Sequence, residues 1–193
     1  MKAVLDETVQ IDRRGLYYVV AGTVLVADPV ATKQALDRVL VNPNRKRAFH
    51  WLNEGPEARD RMVDCLIEVG AYAHVCVHYP TARTGQVIAR GRALRRVVPL
   101  LLYDGVDDLI IESRRAREDG RDRAVILDVL KGVGLSGALK YGWSGKDEPT
   151  IGLADAVCGA VGAYLVGSNA RWFDALQEGG VIGELVYISP EIA

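Results

Sequence analysis

Three acidic positions stand where packing alone would not put them. Asp6 and Glu7 follow the apolar run Ala3-Val4-Leu5, and Glu112 follows Leu109-Ile110-Ile111 in the same manner. Carboxylates at the carboxyl end of buried strands lie at the open edge of a sheet, where open α/β folds bind their ligands. Asp155 lies in a glycine- and alanine-rich helical segment whose neighbours three and four positions away are Ile151, Gly152, Cys158 and Gly159. None of these can neutralise it, so its carboxylate needs a cation or a hydrogen-bond donor from elsewhere. A cluster of oxygen donors of this kind suits a hard divalent ion such as Mg²⁺, which keeps water or phosphate in its remaining positions. Each acid also has a plainer explanation: a turn or cap for Asp6, a surface ion pair with Arg114 or Arg115 for Glu112, and the positive end of a helix dipole for Asp155.

Basic residues are unevenly placed. Arg outnumbers Lys by 18 to 6, and the stretch from Arg83 to Arg123 holds ten Arg, no Lys and seven acids. Arg90, Arg92, Arg95 and Arg96 fall on one predicted helix, either as a solvated face laced with ion pairs or as a rim that holds phosphates. A second cluster is Arg45-Lys46-Arg47, with His50 close behind it as a candidate substrate contact. His74, Cys76 and His78 alternate along one face of a predicted strand, where filling or flanking the sheet is the simpler role. His78 ends that strand before Tyr79-Pro80, which makes it a second candidate for touching substrate. No Walker loop, G-x-S-x-G elbow, H-E-x-x-H or zinc-finger spacing is present.

The elements that must position these residues follow from composition and periodicity. A chain of 193 residues, 49% hydrophobic and 25% charged, has globular proportions and room for one domain, which excludes collagen-like and disordered classes. A net charge of -1 supplies no global field toward nucleic acid or an anionic membrane, so any such affinity must come from local patches. Three Cys without C-x-x-C spacing and no signal peptide at the start predict a reducing, cytoplasmic setting. The longest apolar stretch, Ile151 to Gly167, is short and carries Asp155, so no membrane span is expected. Lys2 to Glu7 and Leu16 to Ala27 predict an antiparallel strand pair around Gly15. Helices are expected over 30–41, 55–69, 84–103, with Pro99 kinking or ending the last, and then over 122–131 and 150–166. Further strands are expected over 45–52, 71–79, 107–113 and 139–143, and a helical or hairpin-like tail over 171–192. The early strands are antiparallel and the later ones alternate with helices, a mixed α/β sheet flanked by helices.

Asp6-Glu7-Thr8 after a short apolar strand resembles the D-E-S/T-G opening of the domain-of-unknown-function family 3800. Tyr17 to Val26 is similar to that family's next strand. Gly152-Leu153-Ala154-Asp155-Ala156-Val157-Cys158-Gly159-Ala160 resembles its L-A-D-x-x-A/C-G-A helix, and residues 144–153 resemble the polar loop leading into it. Two positions depart from the pattern: Val9 stands where glycine follows the opening acids, and Glu112 where Asp is commoner. The resemblance implies a ribonuclease H-like fold with an acidic metal site. It carries Asp6, Glu112 and Asp155 over as ligands of Mg²⁺ or Mn²⁺, with Glu7 as helper or alternative. The expected activity is metal-dependent hydrolysis of phosphodiesters in DNA or RNA, with the Arg-rich stretch holding the substrate backbone. A module that binds nucleic acid without turnover and a small-molecule phosphohydrolase remain as alternatives, and a homo-oligomer stays open.

Overall fold

The computed structural model describes residues 1–40, 49–81, 85–145 and 148–189. Its frame begins with the two most β-prone stretches of the chain. Strand β1 (Lys2–Ile11) turns back through Gly15, whose φ of 78° is costly for a side-chain-bearing residue, into β2 (Tyr17–Val26). The two pair antiparallel over their full length, from Lys2 opposite Val26 to Ile11 opposite Tyr17. Asp28 then caps α1 (Pro29–Val39), its side chain accepting from the backbone N–H of Val30 and Ala31 at 2.9 and 3.0 Å. A short 3-10 turn (Trp51–Asn53) leads into α2 (Pro56–Glu68) and β3 (Tyr72–Thr81), which pairs antiparallel with β2.

The second half alternates helix and strand: α3 (Gln86–Tyr103), β4 (Asp108–Glu112), α4 (Ala116–Gly132), β5 (Lys140–Ser144), α5 (Ile151–Leu165), α6 (Arg171–Glu178) and β6 (Ile182–Ile188). The sheet order is β5-β4-β1-β2-β3-β6, with β4 parallel to β1, β5 parallel to β4 and β6 parallel to β3. Period-two alternation separates two cores. Val4, Val20, Val24, Val75 and Val77 point toward α1, α2, α5 and α6. Ala3, Leu5, Ala21, Cys76, Leu109 and Ile111 point toward α3 and α4.

Helix α5 has no polar face: all twelve residues from Ile151 to Gly162 are buried. Its small residues let it lie almost on the backbone of β1 and β2. A Cβ placed on Gly22 would stand 2.8 Å from Cys158 Sγ, and the Cys158 thiol donates to the Asp6 carbonyl at 3.3 Å.

Several expectations need correction. Asp6 and Glu7 do not end a strand, because the hairpin arm continues to Ile11 while its parallel neighbour β4 stops at Glu112. Residues 49–53 form no strand, since Phe49 and Trp51 pack onto Gly152 and Gly159 of α5 instead of pairing with the sheet. Residues 45–48 of that expected strand lie outside the described residues. Helix α3 continues through Pro99 to Tyr103, so proline does not end it. Helix α4 begins six residues earlier than its apolar periodicity suggests, because Asp119 accepts from Ser113 Oγ at 2.7 Å and from the Arg114 N–H at 3.1 Å. The tail resolves into one helix and one parallel edge strand. All three cysteines are free and buried, and among the described residues no helix is long and apolar enough to cross a membrane.

The contact between Gly22 and Cys158 should be energetically coupled. Gly22→Ala should cost about 1–3 kcal/mol through overpacking, and less in a Cys158→Ala background. Denaturant unfolding of the four proteins of this double-mutant cycle should give a coupling of at least about 0.5 kcal/mol, and strict additivity would refute the packing argument.

Candidate active site

The register places Leu5 beside Ile111, so Asp6 and Glu112 are the next residues along two parallel neighbours. Asp6 shares the direction of Val4, and Glu112 that of Ile110, so both belong to the face that α5 covers. Asp155 reaches the same place from above, on the first half of α5. Asp6 is 3% and Asp155 7% exposed.

The electrostatics record their proximity. Burial is the largest influence pushing the Asp6 carboxyl well above its ordinary value. A hydrogen bond with Glu112 and the charges of Glu112 and Asp155 push in the same direction, and Arg90 opposes them. Asp6 therefore favours its neutral form more than an ordinary carboxyl does, with Glu112 hydrogen-bonded beside it. Burial also raises Asp155, against the Trp51 N–H and His50, which lower it, while Glu112 raises it further. Asp155 Oδ2 accepts from the backbone N–H of Trp51 at 2.7 Å and lies 3.0 Å from His50 Nδ1. Asp6 Oδ1 accepts from the Glu7 N–H at 2.6 Å.

Glu7 points the other way. It forms ion pairs with Arg90 and, at 2.6 Å, with Arg114, on the face covered by α3 and α4. Arg90 is 2% exposed and also bonds Asp122 at 2.9 Å. Its guanidinium is consumed inside the protein, so the expectation that it lies on a phosphate-holding rim is corrected. Arg92 lies 3.2 Å from His78 Nε2, Arg95 bonds Asp128 at 2.6 Å, and Arg96 is exposed. These side chains do not converge with the carboxylates, from which the sheet separates their helix. His78 shares the direction of Cys76, is buried, and is pulled below its ordinary value first by burial and then by Arg92. It therefore lies on the far face rather than where the carboxylates gather, a second correction. His50, by contrast, is brought directly to Asp155. Arg83 and the Arg45-Lys46-Arg47 cluster lie outside the described residues.

Trp51 and Arg59 escaped the sequence reading. Trp51 acts through a backbone N–H, which no residue type announces. Arg59 donates from Nε and Nη2 to the Trp51 carbonyl at 3.1 and 2.9 Å.

The donor set, three carboxylates drawn from β1, β4 and α5 with their charges in mutual conflict, has the chemistry a hard divalent ion favours. Among the described residues no group of three or more His, Cys, Asp or Glu is spaced to hold a metal ion as it stands.

The raised Asp6 has a definite consequence for stability. A carboxyl raised in the folded state contributes stability that is fully present below its unfolded value, near 3.8, and is lost as pH climbs through the folded value. Asp6→Asn removes that ionisation. In EDTA the variant should melt a few degrees above wild type at pH 8, and the difference should shrink toward zero as pH approaches 4. Thermal scans across that range check it, and a variant less stable at every pH would overturn the electrostatic account.

No family model matches the chain, so the resemblance to family 3800 gains no support, and no curated protein matches it either. Among solved structures, the chain is similar to one in the PCNA:RNase HII complex from Archaeoglobus fulgidus, with a TM-score of 0.50 and 12% identity over 93% of this chain and 77% of that one. At that identity the likeness is one of fold: the chain has a ribonuclease H-like mixed α/β sheet flanked by helices.

Proposed function

We propose that the protein is a metal-dependent hydrolase of phosphodiester bonds, with Asp6, Glu112 and Asp155 as ligands of Mg²⁺ or Mn²⁺. The observation that supports this reading is the meeting of three carboxylates from three elements on one face, where Glu112 and Asp155 push Asp6 up and Glu112 pushes Asp155 up. The nuclease-like fold of the neighbour agrees with it. When bound, a divalent ion supplies positive charge that acidifies a water and offsets the charge building on a leaving oxygen.

The chain's own residues prepare that chemistry. Asp6 and Glu112 lie hydrogen-bonded side by side, and ligation would require Asp6 in its ionised form. The Trp51 N–H and His50 fix one oxygen of Asp155, which sets the plane of its carboxylate. His50 is partly exposed, and in this reading its second ring nitrogen meets a substrate oxygen beside Asp155. A polymer is favoured over a small phosphorylated molecule by the hairpin arm. On the same sheet face, Tyr18 and Tyr79 stack with ring centroids 3.9 Å apart, and Arg14 lies 5.9 Å over the Tyr79 ring. Tyr18 pairs with Gln10, four residues beyond Asp6 and so about 13 Å along the strand. Aromatic rings beside a basic group suit a nucleic-acid strand.

Labelled single- and double-stranded DNA and RNA incubated with Mg²⁺ or Mn²⁺ test the reading. Wild type should cleave at least one of them, and Asp6→Asn should lower the rate by orders of magnitude while keeping substrate binding. Glu7→Gln, on the other face, should lose stability through Arg90 yet keep its activity per folded molecule. Cleavage that persists in a clean Asp6→Asn preparation assigns the activity elsewhere. Binding without cleavage by wild type makes the protein a nucleic-acid-binding module.

A further inference from the structure

We propose that Arg59, on α2 and outside the carboxylate group, is a positioning residue for Asp155. The argument runs through Trp51. The Arg59 guanidinium lies between two indoles, 4.7 Å from the Trp51 ring centroid and 5.3 Å from that of Trp172, and these rings meet edge to face at 5.0 Å. From that slot two of its N–H groups converge on the Trp51 carbonyl. The N–H of the same residue donates to Asp155 Oδ2 at 2.7 Å. One peptide unit on each side of Trp51 is therefore held, the following one by Arg59 and the preceding one by Asp155.

The turn that carries Trp51 has two backbone bonds of its own, from the Asn53 N–H to the His50 carbonyl at 2.9 Å and from the Glu54 N–H to the Trp51 carbonyl at 3.2 Å. It is three residues long and has no side-chain cap. Besides the His50 contact with Asp155, it is seated by contacts with two glycines of α5 that bracket Asp155: Phe49 against Gly152, and the Trp51 ring against Gly159, where an added Cβ would stand 2.1 Å from the indole. These contacts seat the turn on the helix without setting where its N–H points. The Arg59 clamp adds a restraint on the Trp51 peptide planes, and the Trp51 N–H in turn fixes Oδ2 of a carboxylate that would help hold the ion. Lysine cannot substitute, because the clamp needs two parallel donors on one oxygen and a flat cation between two rings.

This inference rests on the proposed metal site, and the experiment separates the two. Trp51 amide hydrogen exchange is followed by NMR, and Mn²⁺ affinity by the EPR signal of the free ion, in wild type, Arg59→Met, Arg59→Lys and Arg171→Met. Arg171 is the matched control: it lies 4.6 Å over the Trp172 ring and pairs with Asp60 at 2.7 Å, on the same aromatic cluster, and is not among the donors to the Trp51 carbonyl. Arg59→Met should speed Trp51 exchange and weaken Mn²⁺ binding by about ten-fold or more, the scale seen when a group supporting a metal ligand is lost. Arg59→Lys should lose nearly as much, and it carries the test should the Met variant fail to fold. Arg171→Met should change neither quantity. Retained Trp51 protection and Mn²⁺ affinity in the Arg59 variants would overturn the proposal, as would an equal loss in Arg171→Met at the same melting temperature. A wild type that takes up no Mn²⁺ defeats the metal reading instead. Trp51 exchange then decides alone: acceleration in both Arg59→Met and Asp155→Ala upholds the positioning of Asp155, and unchanged exchange removes it.

Discussion

The near-contact of α5 with the backbone of β1 and β2 is the constraint on which the rest of the molecule depends. A helix normally rests on a sheet at a distance set by the side chains between them. Here Gly22 contributes no side chain at the crossing, Cys158 fills what remains, and Gly152 and Gly159 leave the helix's other flank open to Phe49 and Trp51. Two consequences follow from one geometry. Asp155, a short side chain, can reach the level of Asp6, and the segment around His50 can press onto the same helix beside it. A larger residue at Gly22 would lift α5 and separate the carboxylates before it touched any of them.

A strand's alternation then sorts the charges. Asp6 and Glu7 are adjacent in sequence and have opposite fates. Glu7 enters a buried ion-pair network with Arg90, Arg114 and Asp122, which satisfies both signs inside the α3–α4 layer. Asp6 goes to the α5 face, where its near neighbours are other acids and its opposing cation is that same Arg90 across the sheet. The buried Arg90 thus serves two roles. It is the partner that makes Glu7 affordable on one face, and it is the residual positive field that keeps the carboxylate cluster on the other from costing more.

Much of this was legible in the sequence, for identifiable reasons. Helix α5 was legible because an acid set among small apolar residues has few explanations in a buried helix. The strand pair around Gly15 and the apolar core of β4 were legible from β-branched runs, and Glu112 from its place at the end of one. What escaped the reading was carried by relations between elements rather than by residue types. The length of β1 beyond β4 depends on its antiparallel partner, so Asp6 read as a strand end. The Arg-rich stretch looked like one surface because arginine usually is exposed, yet Arg90 turned inward to meet a carboxylate seen only after folding. His78 was misplaced for a similar reason: period two gave its face correctly, but which face held the acids was set by the helix that crosses them. The donor to Asp155 was invisible because it is a backbone N–H.

The energetic character of the site follows from these placements. Natural folds rarely leave like charges buried together, since each unit of raised pKa represents about 1.4 kcal/mol of differential cost. Three contacts support this cluster: the thiol of Cys158 on the Asp6 carbonyl, the N–H of Trp51 on Asp155, and the clamp of Arg59 on Trp51. A scaffold this closely packed around an unfavourable cluster holds the acids where they cannot relax away from one another. Burial, Glu112 and Asp155 all push the Asp6 carboxyl up, and the charge that opposes them is Arg90, from the other face of the sheet.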